Sequence, residues 1–256
     1  MERLGDTLKQ ELEKLGLGMD PDLKKELAKY SDPDAPVRYR CAGDCNVVVP
    51  KRGSYCESCT TRINQEHRVN ALSIARASLP QWSWCRFGDP QFGKCTRKAQ
   101  PAAQAAAAWH LDAGNLVLLG PTRAGKTVSA VALGYKLLEL AEAADADPEL
   151  VRFAVGLRFT VGRDLANARR FAPLGEGDAP AVIEAQEATL LVLDEVGFEN
   201  QDTAVFEVMD LRYRASKPTI LTSGLTKRAF VDRYGAALLG RLSELGEIVD
   251  LHARSR

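Results

Sequence analysis

The sequence predicts an α/β fold: a parallel sheet with flanking helices in its second half, preceded by a small helical and metal-binding region. Three observations carry this expectation. From about residue 116, short apolar or β-rich runs alternate with helical segments. A glycine-bounded turn, GPTRAGKT, joins the first of those runs to a helix, and four of the six cysteines fall between Cys41 and Cys59. Strands separated by helices imply crossover connections, which make neighbouring strands parallel.

The expected elements follow in chain order. Residues 1–30 place Leu8, Leu12 and Leu15 among charges at helical spacing, then break at Gly16, Gly18 and Pro21 before DLKKELAKY. Two short amphipathic helices fit, packed on the protein's own core or serving as a partner-binding arm. Ser31–Pro36 is a linker, so residues 1–35 form a helical arm and linker. A metal-binding module and a helix near Asn64–Leu79, closed by Pro80, fill 36–80. Residues 81–101 show no clear period and are expected to be a linker. A domain over 102–256 opens with an Ala-rich helix, Ala102–Trp109. Its expected strands are Leu116–Leu119, Arg158–Val161, Leu190–Leu193 and Thr219–Thr222.

With 45% apolar and 27% charged residues the 256-residue chain has the composition of a folded globular protein, not a disordered or fibrous one. No apolar stretch approaches the roughly 20 residues that cross a bilayer, and the first residues lack a hydrophobic signal core. The expectation is a cytoplasmic protein without a membrane partner. The 34 basic and 34 acidic side chains cancel, but Pro36–Gln100 holds eleven Lys and Arg against four Asp and Glu. That local excess suits phosphate backbones, single-stranded DNA among them, or partly offsets metal-bound thiolates. Trp82, Trp84, Phe87 and Phe92 among Arg86, Lys94, Arg97 and Lys98 either stack bases or pack on the following domain, with packing preferred.

Asn115–Thr127 reads NLVLLGPTRAGKT. A buried strand runs into Gly120, Pro121, Thr122, Arg123, Ala124, Gly125, Lys126 and Thr127, and a helix continues to about Ala143. This is the Walker A pattern in its required context, the phosphate-binding loop of P-loop NTPases. Glycines let backbone N–H groups turn inward around a triphosphate, and the helix aims its positive end at the phosphates. Lys126 is expected to neutralise the β and γ phosphates of ATP and Thr127 to ligate magnesium. Leu190–Gly197, LLVLDEVG, suits a Walker B strand at the next sheet position. Asp194 would hold magnesium through its water shell, and Glu195 would orient or deprotonate the attacking water.

Cys41-x3-Cys45 and Cys56-x2-Cys59 form two ligand pairs separated by a loop able to make a small β-hairpin, a zinc-ribbon-like arrangement. Four thiolates close a tetrahedral zinc site with no room for a reactive water, so the expected role is structural. Cys85 and Cys95 read as free thiols.

Taken together, GPTRAGKT, LLVLDEVG, FEVMDLRYRASKPTILTSGLT and YGAALLGRLSE resemble the bacterial DnaC-type helicase loaders and the related IstB-type transposition helper ATPases of the AAA+ superfamily. The match covers roughly Ala102–Arg256. The resemblance implies an ATPase that assembles into an ATP-dependent homo-oligomer and acts on a replicative helicase or, in the second group, with a transposase. It implies a polar sensor at Ser223, where relatives commonly carry Asn at or next to this point and this chain has Ser223-Gly224. It also implies that Arg241 reaches a neighbouring subunit's nucleotide, the alternative being an ordinary surface arginine. The family's final sensor arginine has an imperfect counterpart at Arg254 or Arg256. A nucleotide-controlled adaptor that scarcely hydrolyses ATP is the third reading.

Overall fold

The computed structural model describes residues 39–252, apart from 44, 46, 144, 174–176 and 200–202. The helices expected over residues 1–30 and the arginines at 254 and 256 lie outside the described residues. The chain divides into two compact units between His67 and Arg68.

In the first unit, β1 (Tyr39–Arg40) pairs antiparallel with β2 (Val48–Val49), Tyr39 opposite Val49. The hairpin therefore brackets Cys41 and Cys45, whereas the sequence reading placed one between the two cysteine pairs. Helix α1 (Glu57–Ser78) starts well before the expected Asn64 and ends before Pro80, with Glu57 in its first turn, where the helix dipole favours a carboxylate.

The second unit begins within α1 and adds α2 (Pro90–Thr96), α3 (Gln100–Ala108), β3 (Asn115–Leu119) and α4 (Lys126–Glu142). Next come α5 (Pro148–Val155), β4 (Leu157–Val161), α6 (Gly162–Arg170), α7 (Pro180–Glu187) and β5 (Leu190–Val196). The chain closes with α8 (Ala204–Arg214), β6 (Thr219–Ser223), α9 (Lys227–Tyr234), α10 (Ala236–Glu244) and β7 (Gly246–Asp250). The sheet order is β4-β5-β6-β3-β7, every pair parallel. Leu116 and Leu118 of β3 enter one core with α4, while Val117 and Leu119 enter the other with α8 and α10. A strand covered on both faces must be apolar throughout, which is why NLVLL shows no polar alternation.

Residues 81–101 differ from the expected linker. Asp89 caps α2, its carboxylate accepting from Gln91 N at 2.7 Å. Cys85 and Phe92 are buried, and Trp82, Trp84 and Phe87 pack against the same core. Arg86 lies 3.4 Å over the Tyr135 ring and is paired with Glu139. The four aromatic rings and Arg86 are thus used in packing, whereas Lys94, Arg97 and Lys98 are exposed.

The Arg212 to Lys217 segment also finds its reason in the fold. Arg212 is 1% exposed and donates to the carbonyls of Ala185, Gln186, Ala188 and Pro218 and to Thr219 Oγ1. Lys217 Nζ adds bonds to Gln186 O and Glu187 O. Together they satisfy carbonyls at the end of α7, which has no later turn to receive them.

Candidate nucleotide site and cysteine cluster

The β3–α4 turn needs its glycines. Gly125 has φ 86°, and a Cβ there would lie 2.9 Å from Cys95 O. Arg123 also adopts a left-handed conformation, φ 64°. Gly125 leaves the first turn of α4 without a side-chain cap. Uncapped N–H groups at the start of a 17-residue helix are the donors a phosphate requires. Lys126 is 8% exposed, and its Nζ donates to Gly120 O at 2.8 Å and Pro121 O at 2.9 Å. Burial lowers its pKa, opposed by the charges of Asp194 and Glu195.

Asp194 stands at the end of β5, 4% exposed, and its Oδ1 accepts from Thr127 Oγ1 at 2.8 Å and Thr222 Oγ1 at 2.5 Å. Burial raises its pKa, the two hydroxyls pull it back, and Glu195 raises it further. The two Walker segments are therefore in direct contact. They are not on adjacent strands: β6 lies between β3 and β5, which corrects the expected next-strand placement. Side chains reach across its end, so the intervening strand contributes Thr222 to the junction.

Ser223 stands differently from the expectation. It is fully buried, donates to Val196 O at 2.5 Å and accepts from Leu225 N at 3.1 Å. A hydroxyl committed to two backbone groups in the core has no proton left to present to a phosphate. Gly224 offers no replacement, because a Cβ there would meet the Phe198 ring at 2.6 Å. The polar group that β6 does bring to Asp194 is Thr222, which sequence reasoning missed. Two residues of β5, Asp194 and Glu195, fall opposite this one residue, since Leu193 pairs with Leu221 but Val196 with Ser223. Such a bulge leaves no mark in the sequence.

Arg241, in α10, is paired with Asp210 of its own chain and lies 5.4 Å from the centre of the Tyr213 ring. Asp210 is buried and also pairs with Arg214. Cys85 is buried with its thiol on Val128 O at 3.2 Å, and burial pushes its pKa up to about 12. Cys95 is exposed.

In the first unit, the sulfurs of Cys41, Cys45, Cys56 and Cys59 all lie within 4.8 Å of one another. Zinc–sulfur bonds of about 2.3 Å in a tetrahedron set sulfurs about 3.8 Å apart, so the cluster fits with small adjustment. Cys41 Sγ accepts from Cys56 N at 3.1 Å and Gly43 N at 3.4 Å. Burial raises the Cys41 pKa, those two amides and Cys45 lower it, and the net shift is downward. Amides aimed at sulfur are the support a thiolate ligand needs. Cys56 directly precedes α1 and Cys59 is in its first turn, so helix and metal site begin together.

A family model for IstB-like ATP binding proteins matches residues 62–256. The chain belongs to the IstB-like ATP binding protein family. Among solved structures, the fold of this IstB-like chain is similar to the DnaC helicase loader at 18% identity and TM-score 0.43, covering 63% of this chain and 98% of that one. DnaI matches at 15% identity and TM-score 0.44, over 60% and 82% of the two chains. AMPPCP-bound DnaA from Aquifex aeolicus matches at 20% identity and TM-score 0.44, over 64% and 51%. No curated protein sequence matches the chain. Among the described residues no helix is long and apolar enough to cross a membrane.

Proposed function

We propose that this IstB-like protein is an ATP-hydrolysing factor of DNA replication that loads or remodels a replicative helicase on single-stranded DNA. The observation that carries the ATPase part is the Thr127–Asp194 hydrogen bond of 2.8 Å beside the buried Lys126. In this reading Lys126 and the turn Gly120–Thr127, through the amides that follow Pro121, hold the phosphates of ATP, and Thr127 and Asp194 hold magnesium. Magnesium supplies charge neutralisation at the phosphate oxygens when bound. Glu195 accepts a proton from water, and zinc on the four cysteines stabilises the first unit.

The choice of helicase over transposase rests on the cysteine module, since some helicase loaders carry one in that position. Oligomerisation with ATP, Arg241 acting in trans and DNA contact through the basic segment Pro36–Gln100 belong to the same proposal. The adaptor reading draws on Ser223, whose hydroxyl is occupied, and on Arg241, paired within its own chain. Co-purification of the full chain with its own replicative helicase, with and without ATP and single-stranded DNA, tests the partner. Nucleotide-dependent retention of the helicase supports loading; retention of a transposase alone contradicts it. Turnover tests the adaptor: ATPase unchanged by Glu195→Gln would leave that reading standing.

A further inference from the structure

Glu195 occupies a conformation that a strand residue does not adopt unaided. Its φ is 53°, in the left-handed region, and Gly197 two residues on has φ 106°. A side chain held there costs free energy, and it persists only where the surroundings over-determine it. The bulge supplies the extra residue, but it does not by itself fix the backbone around it.

Three contacts do so, one after another along the chain. Glu195 N donates to Thr222 Oγ1 at 3.1 Å, Val196 O accepts from Ser223 Oγ at 2.5 Å, and Gly197 N donates to Glu199 Oε2 at 2.8 Å. The first two tie the segment to β6. The third ties it to α9 through Glu199, whose side chain is 0% exposed. Glu199 Oε1 accepts the Tyr234 hydroxyl and Arg233 Nε at 3.3 Å, and Arg233 Nη2 donates to Glu199 O at 2.5 Å. A buried ion pair contributes little net stability against apolar residues of the same volume. What this one adds is a fixed acceptor for Gly197 N.

We infer that Glu199 is a positioning residue for ATP hydrolysis, its buried carboxylate anchoring the turn after β5 to α9 and so holding Glu195 in its left-handed geometry. Glu199 touches no reacting atom in this account. Thr222 and Ser223 serve the same end from β6, which gives Ser223 a backbone-holding part in place of the expected sensor. The inference rests on the ATPase reading and deepens it.

The test uses the full chain with magnesium and ATP, comparing wild type with Glu195→Gln, Glu199→Ala, Glu199→Gln and Tyr234→Phe. Glu199→Ala is expected to lower kcat about tenfold or more while the Kd of a non-hydrolysed ATP analogue stays within about twofold. Glu199→Gln keeps an acceptor for Gly197 N and recovers most of the rate; Tyr234→Phe falls between. A fall in kcat with nucleotide affinity kept is a split that simple loss of stability would not produce. Should the alanine variant not fold, the glutamine and Tyr234→Phe variants carry the comparison. Folded variants with wild-type kcat, or with losses confined to KM, overturn the inference while leaving the ATPase reading intact. Wild-type protein inert toward ATP overturns both.

Discussion

Thr127 at the start of α4 and Asp194 at the end of β5 are 67 residues apart and joined by a 2.8 Å hydrogen bond. The same Asp194 oxygen also accepts from Thr222 on the strand between. One carboxylate oxygen thus gathers the start of α4 and the ends of β6 and β5, and the proposed nucleotide site is built around it.

Asp194 is costly to the protein without a cation. Burial raises its pKa, so from the unfolded carboxylate pKa upward the native state holds a proton more tightly than the unfolded one does. Stability from this group is then full at acid pH and lost as pH rises through the raised value. Asp194→Asn keeps Oδ1 for both hydroxyls and removes the charge. In magnesium-free buffer it is expected to raise Tm at neutral pH, with the gain vanishing in acid, while hydrolysis is lost. A lower Tm at neutral pH contradicts this.

Arg212 has five acceptors and no carboxylate among them. Burial lowers its pKa to about 10, which still leaves it charged at neutral pH. Arg212→Ala strands buried carbonyls and is expected to cost about 3 kcal/mol or more in urea unfolding. Arg212→Lys restores only part of this, because an ammonium has three donors and no planar fork. A loss under about 0.5 kcal/mol for the alanine variant, the range of an ordinary surface change, contradicts the role.

Arg241 is predicted to act on a neighbour's nucleotide once released from Asp210. Arg241→Ala chains keep an intact nucleotide site and Lys126→Ala chains keep the arginine, so mixing the two inactive variants restores ATPase activity. An arginine in trans contributes about 10³-fold or more to the rate, so the restored signal is large. Mixtures no more active than their components contradict the assignment.

The cysteine cluster is expected to hold one zinc per chain, measured by metal analysis of protein purified without added metal. Strong chelator or Cys59→Ser removes it, and circular dichroism then loses helix from the start of α1. Full-length protein free of zinc with unchanged helix content contradicts the structural role, because metal binding supplies the folding free energy of such a small module.

The sequence carried the sheet well where strands are buried on both faces. β3 and β5 are continuous apolar runs, and a glycine-bounded turn before a helix has few other uses. β7 escaped because GEIVD is an edge strand with charges at Glu247 and Asp250, only Val249 being buried. Helix α2 escaped because seven residues interrupted by Gly93 show no period. The end of the sheet proposed to be catalytic was harder still. Alternation along a regular strand cannot reveal the bulge that puts Thr222 rather than Ser223 against Asp194, and no pattern in the sequence marks Glu199 among the other carboxylates.

Calorimetric titration of the full chain with ATP and magnesium, paired with turnover of the same samples, tests the central claim most directly. Wild type takes up one ATP per chain and hydrolyses it. Lys126→Ala loses the binding heat, and Glu195→Gln keeps it but turns over about 10²-fold more slowly. No ATP uptake by wild type, or uptake indifferent to Lys126→Ala, contradicts a nucleotide seated between Lys126 and Asp194.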